Sequence, residues 1–263
     1  MTANDERYLE SQHALVTGAS RGIGAAIARA LAARGARLTL LARSAERVAA
    51  EAESIRREFG TDVQALACDV TDGARARDAF ARGVAAYGPV QLLVNNAGAG
   101  QAHPFVELTR DVWDATIAVN LTATYTCTSL ALPGMLTARH GRVVNIASTA
   151  GLRGYSTTVA YCAAKHGVVG FTRALALETA RQGVTVNAVC PGYTDTDMSE
   201  NAISNLMRAL GKSHDEAKAM LLRTIPRGTF ITPGEVAAAV SWLCSPAASA
   251  VTGIALPVAG GEI

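Results

Sequence analysis

The chain predicts an α/β fold built on one parallel, doubly wound sheet. Two observations carry that prediction. Apolar strand-like runs alternate with helical stretches along almost the whole length, and a Gly-rich turn joins the first strand directly to the first helix. Strands that alternate with helices of this length need crossover connections, and those put helices on both faces of a parallel sheet. The 263 residues suffice for one large α/β domain with a substantial core. No repeat, linker or low-complexity stretch divides the chain, so a single domain over 1–263 is expected.

Composition narrows the function classes. Hydrophobic residues make up 49% and charged residues 17%, which excludes a disordered chain. A net charge of +2 gives no electrostatic case for nucleic acid or for an anionic membrane surface. No apolar run approaches the roughly 20 residues that span a bilayer. The opening MTANDERYLESQ is polar and acidic, unlike a secretory signal, so a cytoplasmic protein is expected. The five cysteines (Cys68, Cys127, Cys162, Cys190 and Cys244) show no C-x-x-C spacing, so neither a metal site nor a disulfide framework is expected. They read as small buried hydrophobes.

Residues 13–17 (HALVT) read as a buried first strand, followed by GASRGIG at 18–24 and an Ala-rich helix. This strand–glycine–helix order is the setting of a phosphate-binding turn. Gly18 permits the sharp turn, Gly22 lets the backbone approach a pyrophosphate, and Gly24 lets helix and strand pack closely. Ser20, Arg21 and Ile23 belong to the same cofactor turn. The plain alternative is an ordinary βα connection.

The second strand spans 37–43. NAD-selective folds carry an acidic residue near its end to hold the ribose 2′-OH. This chain has Arg43 followed by Ser44, with Arg21 as a second cation nearby. A guanidinium recognises phosphate bidentately, so NADP(H) is the expected cofactor, with NAD(H) the alternative if both arginines are merely solvated. A charged helix (44–59) and a third strand (62–68) follow. Asp69 and Val70 end that strand where an adenine could be met; Asp69 could equally start the next helix as a cap. A helix over 71–88 stops at Gly88-Pro89. The fourth strand, in 91–100, ends in Asn95, Asn96, Ala97 and Gly98, where both asparagines can bond backbone across strand ends and shape the cofactor floor.

Residues 105–139 read as two helices meeting near Asn120, a polar side chain between apolar faces. It is either a satisfied buried amide or a helix distortion that seats a water for proton transfer. The fifth strand (141–148) carries Ser148. A long helix then runs through Tyr161 and Lys165 to about Arg181. Tyr161 and Lys165 are four apart, so they share one helix face a turn apart. An ammonium beside a phenol favours the phenolate, which predicts a lowered Tyr161 pKa and a usable acid/base. Ser148 can donate to a substrate oxygen. The sixth strand (183–192) ends at Pro191-Gly192, followed by Tyr193 and Thr194. Residues 194–230 form a long insertion expected to be a helical lid. The helix over 232–246 is signalled by Thr232 as N-cap, Pro233 at N1 and Glu235 at N3. A short last strand closes the chain.

The combination of TGASRGIG (17–24), NNAG (95–98), Asn120, Ser148, YCAAK (161–165) and Pro191-Gly192 with Thr194 resembles the short-chain dehydrogenase/reductase family from about residue 11 to 260. The resemblance implies a seven-stranded parallel Rossmann-type sheet flanked by helices. It implies catalytic roles for Asn120, Ser148, Tyr161 and Lys165: Tyr161 as acid/base, Ser148 polarising the substrate oxygen, Lys165 on the nicotinamide ribose and depressing the Tyr161 pKa, and Asn120 holding a relay water. Thr194 would contact the nicotinamide amide, with Tyr161, Lys165, Pro191 and Gly192 also lining the cofactor. No metal is implied.

Within that family the segments at 141–151, 161–178 and 183–192 are most similar to polyketide and 3-oxoacyl-thioester ketoreductases. The expected reaction is NADP(H)-dependent interconversion of a ketone and a secondary alcohol, on a 3-oxoacyl thioester or polyketide-like ketone. An NAD-dependent 3-hydroxyacyl-CoA or secondary-alcohol dehydrogenase is the alternative, and a non-catalytic cofactor sensor is the alternative of another class. Arg139 falls where carrier-protein reductases place a basic residue; its companion position is Gln182, with Arg181 beside it. Members of this kind are often homotetramers. Tyr155, Leu152 and Tyr193 are expected pocket walls, and His103 is either substrate-facing or solvated. His166 is read as packing or interface, and Cys162 is given no role.

Overall fold

The structure, a computed structural model, describes residues 7–263. Seven parallel strands form one sheet in the order β3-β2-β1-β4-β5-β6-β7. These are β1 His13–Thr17, β2 Arg37–Ala42, β3 Val63–Ala67, β4 Leu92–Asn95, β5 Gly141–Ile146, β6 Val184–Pro191 and β7 Ala255–Val258. The order runs outward in both directions from the β1–β4 pair, where Ala14 faces Leu92 and Val16 faces Val94. A crevice opens at the carboxyl ends of the strands at such a switch point.

Helices cover both faces, which is why β1, β5 and β6 are buried end to end. Ala14 and Val16 of β1 pack with Ile27 and Leu31 of α1 (Gly22–Ala33) and with Val236, Val240 and Leu243 of α9 (Pro233–Cys244). Leu15, pointing the other way, joins Phe80 of α3 (Gly73–Tyr87) and Cys127 and Met135 of α5 (Ala123–Ala138). The period of two along the strand thus feeds two separate cores. Helix α2 (Ala45–Phe59) starts at Ser44, whose side chain accepts from the Arg47 amide, and stops at Gly60 with φ 63°. The Thr232–Glu235 capping box and Pro233 open α9 as the sequence predicts.

Two stretches add detail to what the sequence predicts. The two helices over 105–139 do not break apart: α4 (Arg110–Ile117) and α5 are continuous through a π-helical segment, Ala118–Thr122, that contains Asn120. The long helix α6 (Val159–Thr179) ends in a 3-10 turn, Ala180–Gln182. The insertion at 194–230 holds α7 (Asp197–Leu210) and α8 (His214–Leu222). It carries its own small core of Ile203, Ala217, Leu221, Ile225 and Phe230. Tyr193 packs on that core, stacked on Phe230 at 6.2 Å between centroids. No helix among the described residues is long and apolar enough to cross a membrane.

Candidate active site

The glycine turn lies at the switch point. Gly18 and Gly22 take φ of 66° and 55°, the left-handed region that glycine enters without steric cost. A Cβ on Gly24 would stand 2.2 Å from the Gly18 carbonyl oxygen, so only glycine lets α1 sit this close to the turn. Arg21, the N-cap residue of α1, makes no side-chain cap bond, and the first turn holds no acidic residue. Its first amide groups therefore have no side-chain acceptor, the arrangement that suits a phosphate. The Arg21 guanidinium is ion-paired with Asp197 at the start of α7, and Thr196 closes against Gly22. Ser20 and Ile23 are partly buried in the same turn, with Ile23 against the core.

At the end of β2, Arg43 is exposed and Ser44 caps α2. Asp69 accepts from the Thr71 amide at 3.0 Å and its hydroxyl at 2.7 Å. The Thr71 amide bond is the main cause that holds its carboxyl below the usual range, with a smaller contribution from the charge of Arg43. Arg43 and Asp69 thus share one edge of the crevice. The Val70 side chain packs into the core.

Thr17 organises the bend after β4, a role the sequence reading missed. Its hydroxyl accepts from the amides of Asn96 and Ala97, both at 3.0 Å. Asn96 donates in return to the carbonyls of Thr17 at 3.0 Å and Gly18 at 3.1 Å, locking the bend to the glycine turn. The only sequence signal was a threonine ending the first strand opposite NNAG. Asn95 differs from expectation: it bonds side chains instead of backbone, donating to Asn145 at 2.8 Å and Thr128 at 3.0 Å. The cause is strand alternation, which turns Asn95 away from its neighbour.

Asn120 is buried, and its amide is satisfied. It donates to the carbonyls of Ala99 at 2.7 Å and Thr116 at 2.9 Å, and accepts from the Ala99 amide at 3.3 Å. The satisfied amide thus sits inside a helix distortion, the π-helical segment Ala118–Thr122. A Cβ on Gly98 would lie 2.8 Å from the Asn120 side-chain oxygen and 3.5 Å from Lys165 Nζ, so the bend, Asn120 and Lys165 converge. Gly100 closes over the Tyr161 ring, its Cβ position 3.2 Å away.

Ser148 follows β5 in extended conformation, and its hydroxyl accepts from the Ala150 amide at 3.1 Å. Lys165 is 4% exposed; Nζ donates to the Ile146 carbonyl at 2.8 Å and stands 5.5 Å from the Tyr161 ring centroid. The expected lowering of the Tyr161 pKa is not found. Burial disfavours the phenolate and pushes Tyr161 up to about 12, although hydrogen bonding with Ser148 draws it partly back. The same loss of solvent lowers Lys165 to about 8. Spacing brings the two groups together, but desolvation outweighs their pairing.

Pro191 ends β6 and Gly192 follows it, with the Gly192 amide donating to the Val258 carbonyl at 3.1 Å. Thr194 is buried, its hydroxyl on the Gly192 carbonyl at 3.0 Å and its backbone bridged to Ile231. Of the expected pocket walls, Leu152 turns inward to Val168 and Cys190, whereas Tyr155 stays at the site with its hydroxyl on Thr149. His103 bonds Gln101 at 3.1 Å, and its amide ties the bend to Thr157. His166 bonds the Cys162 carbonyl on an exposed face, and the Cys162 thiol meets Thr158. Arg139 donates to the Arg181 carbonyl at 2.9 Å, so two basic residues sit together there; Gln182 bonds Glu178.

Known proteins with similar chains fit this geometry. The short chain dehydrogenase family profile matches residues 12–206. The chain is 46% identical over 250 residues to a ketoacyl reductase assigned to the granaticin polyketide synthase of Streptomyces violaceoruber, covering 94% of this chain and 92% of the relative. It is 39% identical to a D-beta-hydroxybutyrate dehydrogenase of Cupriavidus necator, covering 97% and 99%. The crystal structure of an actinorhodin polyketide ketoreductase variant with NADPH superposes with a TM-score of 0.92 at 40% identity, covering 100% and 99%.

Proposed function

The chain belongs to the short chain dehydrogenase family, and on that premise we propose that it is an NADP(H)-dependent oxidoreductase that reduces a ketone to a secondary alcohol. The substrate class is a 3-oxoacyl thioester or a polyketide-like ketone, in keeping with the polyketide reductases it resembles. The observation that carries this reading is the grouping of Tyr161 with Ser148, its hydrogen-bond partner, and with Lys165, which meets Asn120 at Gly98 of the bend locked to the glycine turn.

The residues fit the cofactor. The α1 amides and the glycine turn suit the pyrophosphate, and exposed Arg43 suits a 2′-phosphate. Asn96, Ala97, Gly98, Pro191, Gly192 and Thr194 line the way to the reacting end. When bound, NADPH supplies the hydride for the carbonyl carbon. Ser148 donates to the carbonyl oxygen and polarises it. Tyr161, protonated at neutral pH with a pKa of about 12, gives that oxygen its proton. The Lys165 ammonium, present below about pH 8, steadies the phenolate left behind. Asn120 fixes the Ala99 bend, and the π-helical segment around it is where we assign the relay water.

A second reading is an NAD-dependent 3-hydroxyacyl or secondary-alcohol dehydrogenase. It is favoured by the pairing of Arg21 with Asp197, which occupies one of the two cations. Around the site we infer a homotetramer in the cytoplasm. Exposed Tyr125 on α5 and Leu177 on α6 are apolar faces that such an assembly covers.

The test is Tyr161→Phe, followed by NADPH consumption with 3-oxoacyl thioesters and cyclic ketones. Turnover falls about 10²–10⁴-fold while NADPH binding is retained. Turnover close to wild type moves the proton donor elsewhere.

A further inference from the structure

After β7 the chain makes a turn that brings a carboxylate back into the protein. Gly260 and Gly261 both take positive φ, 61° and 87°, a path that disfavours side chains. The turn is clamped at the lid base, where the Arg227 amide donates to the Gly260 carbonyl at 3.0 Å and Pro226 packs on Gly261. It delivers Glu262, whose side chain is 0% exposed. Oε1 accepts from the Tyr155 hydroxyl at 2.5 Å and from Arg153 Nη2 at 2.8 Å. Oε2 is buried with no hydrogen-bond partner among the described residues, and lies 2.8 Å from where a Gly192 Cβ would be.

A buried carboxylate with one orphan oxygen is costly, and an apolar residue would fill the space more cheaply. What the carboxylate accomplishes is a chain of contacts. Tyr155, its one hydroxyl proton held by Glu262, accepts from Thr149 Oγ1 at 2.7 Å, and Thr149 is the residue after Ser148. Arg153 stacks over the Tyr155 ring at 4.7 Å. The same carboxylate sits against Gly192 of the turn after β6. One group therefore touches the loop after Ser148 and the Pro191–Tyr193 turn, while its own backbone is held by the lid base.

We propose that Glu262 is a positioning residue for ketone reduction: it fixes Tyr155 and Arg153, and through Tyr155 and Thr149 it sets the loop that orients Ser148 toward the substrate. This rests on the reading of Ser148 as the group that polarises the carbonyl. It adds to that reading a residue outside the motifs on which the family resemblance stands.

The experiment is steady-state kinetics on the full chain for Glu262→Ala, Glu262→Gln, Tyr155→Phe and the Glu262→Ala/Tyr155→Phe pair, with NADPH binding and melting temperature measured on each. Glu262→Ala raises the ketone KM about tenfold and leaves NADPH affinity within about twofold of wild type. The pair loses no more than either single variant, because both act through one contact. Glu262→Gln keeps an acceptor for Tyr155 and recovers most of the loss. Unchanged KM and kcat in Glu262→Ala overturn the proposal, as does a parallel loss of NADPH binding and folding that Gln does not rescue. Wild type serves as the control for the premise. If it reduces no ketone in the panel, the assigned reaction fails. The proposal is then judged by amide hydrogen exchange at residues 149–158, which must quicken in Glu262→Ala and return in Glu262→Gln; no change there overturns it.

Discussion

Lys165 stands 5.5 Å from the centroid of the Tyr161 ring and donates to the Ile146 carbonyl, so its ammonium is anchored to the end of β5 while facing the phenol. Both groups have given up solvent, and their pKa values have moved apart, Lys165 down to about 8 and Tyr161 up to about 12. Each is held toward its neutral form, the lysine by losing its proton more easily and the tyrosine by keeping it.

That arrangement sets a pH profile. Reductive kcat/KM is level where Lys165 is charged and falls as pH rises through about 8, since the neutral amine no longer steadies the phenolate. Tyr161, at about 12, adds no limb below that. A profile that stays flat to about pH 9.5 means that Lys165 keeps its charge there and that its pKa is not lowered by burial.

Arg43 is the proposed discriminator between the two cofactors. Arg43→Asp removes the guanidinium proposed to meet the 2′-phosphate and sets a carboxylate in its place. The ratio of kcat/KM for NADPH over NADH drops about 10–100-fold. An unchanged ratio means that Arg43 does not read the 2′-phosphate.

Gly24 tests the glycine turn. Its Cβ in Gly24→Ala would lie 2.2 Å from the Gly18 oxygen, and the forced shift costs about 1–3 kcal/mol or more. We expect a lower melting temperature together with lost NADPH binding. A variant that melts and binds like wild type contradicts the close packing of α1.

His13 gives the fold a pH dependence distant from the chemistry. It is 0% exposed, bonded to the Gly88 carbonyl at 2.8 Å and to Thr39 at 2.9 Å. Burial is the main cause that lowers its pKa below 6.5. A lowered folded pKa means that the unfolded chain binds more protons. The stabilisation is therefore complete above pH 6.5 and is lost as pH falls through the folded value. His13→Gln should flatten the fall of melting temperature between about pH 7 and 5, by at most ~1.4 kcal/mol per unit. An equally steep fall in the variant assigns acid sensitivity to other groups.

The amino-acid order by itself determined the alternation that makes a parallel sheet, the glycine turn, the capping box at Thr232 and the four residues proposed for the reacting end. Each is encoded locally, by a period, a turn residue or an i,i+4 spacing, and the resemblance of their sequence to a known family rests on the same short stretches. Tertiary structure decided what depends on solvent and on distant partners. The Tyr161 pKa rises where spacing alone predicted a fall, because burial is a property of the folded crevice. Asn95 points to Asn145 and Thr128, Arg21 meets Asp197, and Leu152 turns into the core, since strand register and lid docking select those partners. Thr17 and Glu262, 245 positions apart in number and unremarked in the sequence, become organisers of the two sides of the site only when the sheet brings the ends of β1, β4 and β6 together. A hydrogen-bond partner so far along the chain leaves no periodic trace in it, and that is why those contacts had to be seen in three dimensions.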